Sequence, residues 1–164
     1  LIPGNSESPM NYPENTYHFR QDSTFLYFFG LDFPNLFGLI DATTGKDYLF
    51  GDNIDIEDII WMGPQKTIKE LAESVGVEKT YHYGEVYSKV NEGLWRGCRA
   101  HFLPAYRADN KLLLKNLLGI HTAKLPDYVS LEMLKAIVEM RSVKSEAKQR
   151  RQASRSASAP RMLR

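Results

Sequence analysis

The residues able to carry chemistry are few and scattered. The four histidines are His18, His82, His101 and His121. No two of them stand at metal-ligand spacing, and none lies in an H-E-x-x-H pattern. His82 and Glu85 are three apart, but Gly84 between them breaks the helix that would align them. There is no G-x-S-x-G nucleophile elbow and no phosphate-cradling glycine loop. Cys98 sits between Arg96 and Arg99, cations able to favour a thiolate. A small half-buried thiol is the commoner outcome for such a cysteine. Two places remain. In Tyr17-His18-Phe19-Arg20-Gln21-Asp22-Ser23, polar groups directly precede an aromatic run. On an extended segment Arg20 and Asp22 would point to the same side. They would either pair and satisfy loop backbone groups where the chain enters the sheet, which is the commoner arrangement, or line a cleft at a strand end. Trp61 stands just before the breaker Gly63-Pro64. It is either a lid on the core or an aromatic contact for a ligand or a neighbouring subunit.

The elements that position these residues follow from pattern. Leu1–Pro3 has the composition of a strand end, and the Gly, Asn, Ser and Pro residues up to Asn15 predict a loop. The continuous apolar and aromatic run Thr24–Leu31 predicts a strand buried on both faces. Leu36–Ala42 and Asp47–Phe50 flank the turn Thr43-Thr44-Gly45-Lys46 and predict a hairpin, so that three strands in series open the chain as a meander. Thr67 and Glu70 have capping-box spacing, and Ile68, Leu71, Ala72 and Val75 give one helical face ending at Gly76. Lys79–Tyr83 predicts a short strand, Glu85–Arg96 a helix closed by Gly97, Arg99–Leu103 a further strand, and Lys111–Leu118 a helix closed by Gly119. Ser130 is placed to cap a last helix with Leu131, Leu134, Ile137 and Val138 on its apolar face.

The 164 residues fit one domain, and 43% hydrophobic with 12% aromatic residues is enough for a core. No apolar run approaches the ~20 residues that span a bilayer, so no membrane partner is expected. A single cysteine cannot close an internal disulfide, which fits a reducing compartment. The net charge of +1 hides an asymmetry. Ala147–Arg164 holds six basic residues and no acid, leaving fifteen basic against twenty acidic residues in the body. An acidic body argues against nucleic acid as a partner. The tail has no aromatic residue and no apolar period, so it is expected to be disordered.

Phe19-Arg20-Gln21-Asp22-Ser23, followed by Phe25, Tyr27 and Gly30, resembles the RQDSxFxYxxG signature of aminopeptidase P-type Xaa-Pro peptidases. That signature belongs to their amino-terminal domain, whose fold creatinase and prolidase share. Ile60-Trp61-Met62-Gly63 resembles the family's IWxG stretch. Glu139–Glu146 resembles the segment leading into the linker helix before the catalytic domain. The resemblance implies an α/β domain over residues 1–146, with a central mixed sheet flanked by helices, then a basic, low-complexity tail over 147–164. It implies that catalysis belongs to a following pita-bread domain, absent here. There two metal ions, usually manganese, are held by two aspartates, a histidine and two glutamates with no counterpart in this sequence. No cofactor is expected in this chain, and the chain alone is expected to be inactive. The parent would be a cytoplasmic, oligomeric Xaa-Pro aminopeptidase acting on proline-containing peptides. The domain would serve oligomerisation and wall off the active-site cleft, with Trp61, Arg20 and Asp22 as the substrate-proximal or interface residues. The family tryptophan of IWxG reaches a neighbouring subunit's active site in some members, a role that would fall on Trp61. The alternative is a free-standing interaction or dimerisation module. Two departures stand out. The helix and first strand that usually precede the point matching Leu1 are missing, and the tail after Glu146 reads either as an out-of-frame translation or as a genuine linker.

Overall fold

The computed structural model describes residues 1–13, 15–54, 60 and 63–143. The chain divides into two units, Leu1–Ser130 and Leu131–Arg164. In the first, four strands form one mixed sheet in chain order: β1 (Ile2–Pro3), β2 (Phe37–Asp41), β3 (Lys46–Phe50) and β4 (Lys79–Tyr81). β1 and β3 both run antiparallel to β2, in the registers Ile2↔Gly38 and Gly38↔Leu49. β4 runs parallel to β3, with Leu49 opposite Thr80. A parallel neighbour requires a crossover, and the helix Ile68–Val75 lies on the connection that supplies it.

The hairpin between β2 and β3 is closed by side-chain chemistry. The Asp41 carboxylate accepts from the backbone N–H groups of Thr43 and Thr44 at 3.0 and 3.3 Å. Gly45, at φ 67°, takes the left-handed position that the turn needs.

Side-chain alternation along β3 divides the core. Leu49 packs with Phe25, Phe29, Leu36, Leu71 and Ala72 on one face of the sheet. Its neighbours Tyr48 and Phe50 pack with Phe37, Val86, Val90 and Leu117 on the other. A period of two thus places one layer of helices on each face. The first face carries α1 (Ser23–Phe29) and α2 (Ile68–Val75), and the second carries α3 (Val86–Trp95) and α4 (Ala108–Leu118). A third cluster, Phe102 with Leu114 and Leu125, extends the second layer to the short helical turn Thr122–Tyr128.

The expected elements hold at the hairpin, at β4, at α2 with its capping box, at α3 and at α4. Two differ. Thr24–Leu31 is not a strand: Ser23–Phe29 is helical, with Asp22 accepting from Thr24 N and Phe25 N and Gly30 closing the helix at φ 69°. Phe25 and Phe29, one turn apart, stack at 5.0 Å between ring centres, and Phe28 packs against the same cluster. The i, i+3, i+4 face and the two caps outweigh the β-preference of the aromatic residues. The meander survives because Ile2–Pro3 supplies its first strand. Arg99–Leu103 is not a strand either. Phe102 is buried as the apolar pattern requires, but among the described residues no strand pairs with the segment in a ladder.

In the second unit α5 spans Leu131–Ser142. Its predicted apolar face is only partly covered: Ile137 is buried, whereas Leu131 and Val138 are exposed. Trp61 and the tail Ala147–Arg164 lie outside the described residues. Among the described residues no helix is long and apolar enough to cross a membrane.

Candidate functional site

The Arg20–Asp22 segment is built by its neighbours rather than by a pairing of its own charges. Gln21 is buried, and its amide makes three bonds. Its Oε1 accepts from Asn5 N at 2.6 Å and from Asp22 N at 2.8 Å, while its Nε2 donates to the Phe33 carbonyl at 2.6 Å. Asn5 Nδ2 in turn donates to the Arg20 carbonyl at 2.9 Å. Two buried amides therefore fix the backbone on both sides of the helix entry, satisfying groups that would otherwise be costly to bury.

Asp22 sends its carboxylate into α1, accepting from Thr24 N at 2.8 Å and Phe25 N at 3.0 Å. No ion pair joins it to Arg20, which corrects the expected pairing; Arg20 is exposed. The premise of an extended segment fails here because Asp22 is the residue that starts a helix. The structure brings Arg20 and Asp22 to one loop end, but Asp22 serves the helix terminus.

A second knot joins this loop to the far end of the sequence. Ser6 Oγ donates to Asp109 Oδ2 at 2.5 Å. Arg107 Nε lies 3.2 Å from both Asp109 oxygens, and its Nη2 donates to Ser8 Oγ at 2.8 Å. The Tyr106 hydroxyl stands 3.4 Å from Asn5 Nδ2. Sequence reading missed Ser6, Arg107 and Asp109 because their partners are about a hundred positions apart, and Asn5 because its bonds to Arg20 and Gln21 join two separate loops.

Burial pushes the Asp109 carboxyl up, but the Ser6 hydroxyl, the Arg107 guanidinium and the Asn110 N–H outweigh it and hold it below the ordinary carboxylate range. The stabilisation from this carboxylate is therefore present above the unfolded pKa, ~3.9, and is lost as pH falls through the depressed value. Asp109→Asn should lower stability at pH 7 by about 1 kcal/mol, since the group is partly solvated. Denaturant titrations of both proteins should show that difference shrinking below about pH 4.

The remaining candidates do not converge. Asp52 Oδ1, at the carboxyl end of β3, accepts from Tyr83 N at 3.0 Å and lies 3.3 Å from His82 Nδ1. Glu85 turns back to accept from His82 N at 3.2 Å. His121 Nδ1 accepts from Ala123 N. Cys98 is half-buried, with Sγ 3.9 Å from Thr43 Oγ1, and the nearby Arg96 is engaged by Asp41 at 3.3 Å. Among the described residues no three His, Cys, Asp or Glu side chains are grouped to hold a metal ion. What this arrangement does chemically is hold one loop rigid and present Arg20 and Tyr106 at its surface.

The aminopeptidase P N-terminal domain model matches residues 1–99. This chain belongs to that family. The match includes the Arg20–Asp22 entry, the hairpin and the crossover. Among curated relatives, a human Xaa-Pro dipeptidase is 28% identical over 88 residues, covering 54% of this chain and 18% of its own length. A probable Xaa-Pro aminopeptidase of Aspergillus niger is 30% identical over 88 residues, covering 54% and 18%. The chain thus spans less than a fifth of the length of these relatives. Among solved structures, the aminopeptidase PepP of Pseudomonas aeruginosa superposes with a TM-score of 0.60 at 20% identity, covering 81% of this chain and 32% of that one. A zinc-substituted Escherichia coli aminopeptidase P in complex with product gives 0.56 at 22% identity, covering 72% and 27%. The mixed α/β domain of this chain is the fold of the aminopeptidase P N-terminal domain.

Proposed function

We propose that this chain is the non-catalytic amino-terminal domain of a metal-dependent Xaa-Pro aminopeptidase, a cytoplasmic homo-oligomer that releases the residue preceding proline from peptides. The observation that carries the reading is the family match over residues 1–99, together with a fold in which the signature residues Gln21 and Asp22 are spent on structure. Among the described residues no three His, Cys, Asp or Glu side chains converge as the paired metal ions of such an enzyme would need. No catalytic step is assigned to these side chains. The domain's part is to wall the cleft and to build the oligomer. Trp61, a rigid apolar face beside Gly63-Pro64, is the residue proposed to reach substrate, in its own or a neighbouring subunit.

The experiment is Trp61→Ala in a full-length peptidase carrying this domain. Turnover of an Xaa-Pro peptide per folded enzyme should fall at least tenfold, while denaturant unfolding of the isolated chain should change little. A stability loss of ~3–5 kcal/mol, the range of a large core truncation, with turnover unchanged would instead make Trp61 a lid on the core. Sedimentation of the same full-length protein checks the oligomer directly.

A further inference from the structure

The outward side of α3 is uncharged and aromatic where an exposed helix is ordinarily polar. Val86 and Val90 bury the inner side against the sheet. Tyr87, Asn91 and Trp95 stand at i, i+4 and i+8, one ridge of neighbours along the exposed side. Trp95 is 89% exposed, more than any other large hydrophobic side chain among the described residues, and Tyr87 is 40% exposed. The two charges within α3, Lys89 and Glu92, lie off this ridge and bond to each other at 2.8 Å. Charge is placed at the two ends instead. Glu85 precedes the helix, and Arg96 and Arg99 follow it, all exposed.

We infer that this ridge is the contact face of a two-fold dimer, whose partner is a second copy of this chain with its α3 antiparallel. The inference rests on the oligomer-building part of the function proposed above and names the surface that does it. Depletion of charge with exposed Tyr and Trp is the composition of an interface core. The order of the residues selects the partner. A two-fold contact must be self-complementary, and the ridge reads aromatic, amide, aromatic with equal spacing on either side of Asn91. With the axis beside Asn91, Tyr87 of each copy meets Trp95 of the other. The two Asn91 amides then face each other, each carrying a donor and an acceptor. The end charges fix the direction. Antiparallel helices bring Glu85 of each copy alongside Arg96 and Arg99 of the other. A parallel pair would set Glu85 on Glu85 and Arg99 on Arg99, like charges that oppose the contact. Asp41 holds Arg96 at 3.3 Å, so this end of the face is anchored to the hairpin.

Sedimentation of the full chain over a range of concentrations should show a reversible dimer, and Trp95→Glu should return it to monomer with an unchanged circular dichroism spectrum. Glu85→Arg and Arg99→Glu should each weaken association alone, whereas an equimolar mixture of the two should recover it, because the hybrid pair carries an opposite-charge contact at both ends. In a Cys98→Ser background, Asn91→Cys should form a disulfide-linked dimer several times faster than Lys69→Cys on α2, since only a residue at the axis meets its own copy within disulfide reach. A full chain that stays monomeric at all concentrations, a mixture no better than its components, or equal cross-linking at Asn91 and Lys69 would overturn the proposal. Trp95→Glu is also to be placed in a full-length peptidase carrying this domain. An oligomer that is insensitive to that change would overturn this interface while leaving the proposed function standing.

Discussion

Phe25→Ala should destabilise the first unit by ~3–5 kcal/mol, a large part of the stability of a domain this size. Phe25 is fully buried, stacks on Phe29 at 5.0 Å, and belongs to the cluster that seals α1 and α2 onto the sheet. Its removal leaves a ring-sized void beside Phe29, within a cluster whose other members are held by β3 and α2, so the void cannot readily collapse. The midpoint of urea unfolding, followed by far-ultraviolet circular dichroism, measures it. A loss under 1 kcal/mol would mean that the face of α1 bearing Phe25 is not the buried one.

Gly38→Ala should also destabilise the first unit markedly, although it adds only one methyl group. Gly38 lies on β2 beneath α1, and a methyl group there would overlap the edge of the Phe29 ring at Cε2 and Cζ. Phe29 cannot swing aside freely because it is 4% exposed and stacked on Phe25. Either α1 lifts from the sheet or Phe29 leaves its rotamer. Overpacking of this kind costs ~1–3 kcal/mol, and the ring's confinement places Gly38 at the upper end. Gly45→Ala, in the hairpin turn with open space around it, is the informative contrast. That variant is limited to the strain of its positive φ, ~1 kcal/mol. If the two variants unfold at the same denaturant concentration, the close approach of β2 and α1 is not what fixes Gly38.

These two residues also show what the sequence makes legible. The hairpin, α2, α3 and α4 are readable because their signals are local: a turn with Gly45, a capping box at Thr67 and Glu70, and glycines at the left-handed helix ends. The aromatic run 24–31 misleads because the β-preference of its residues competes with their helical spacing. Phe25, Phe28 and Phe29 already showed a helical interval, with Asp22 before it and Gly30 after it. Arg99–Leu103 has the right composition for a strand, but a strand needs a neighbour, and pairing is not encoded within five residues. The same limit hides the site. Asn5 with Gln21 and Ser6 with Asp109 are bonds across the fold, set by which loops the sheet brings together. The Arg20–Asp22 motif is legible in its favoured structural role, except that its two charges do not pair. Its polar groups serve the backbone of a helix entry, and Arg20 alone is left facing outward.

The central proposal is that this chain supplies architecture to an Xaa-Pro peptidase and none of its chemistry. The most direct measurement incubates the purified full chain with manganese and an Xaa-Pro dipeptide and an Xaa-Pro-containing tripeptide, following release of the amino-terminal residue, with manganese uptake measured in parallel by equilibrium dialysis. The account predicts no release above the protein-free control and no stoichiometric retention of manganese. Peptide cleavage that scales with this protein through repurification, accompanied by about two bound ions per chain as in a two-metal site, would contradict it.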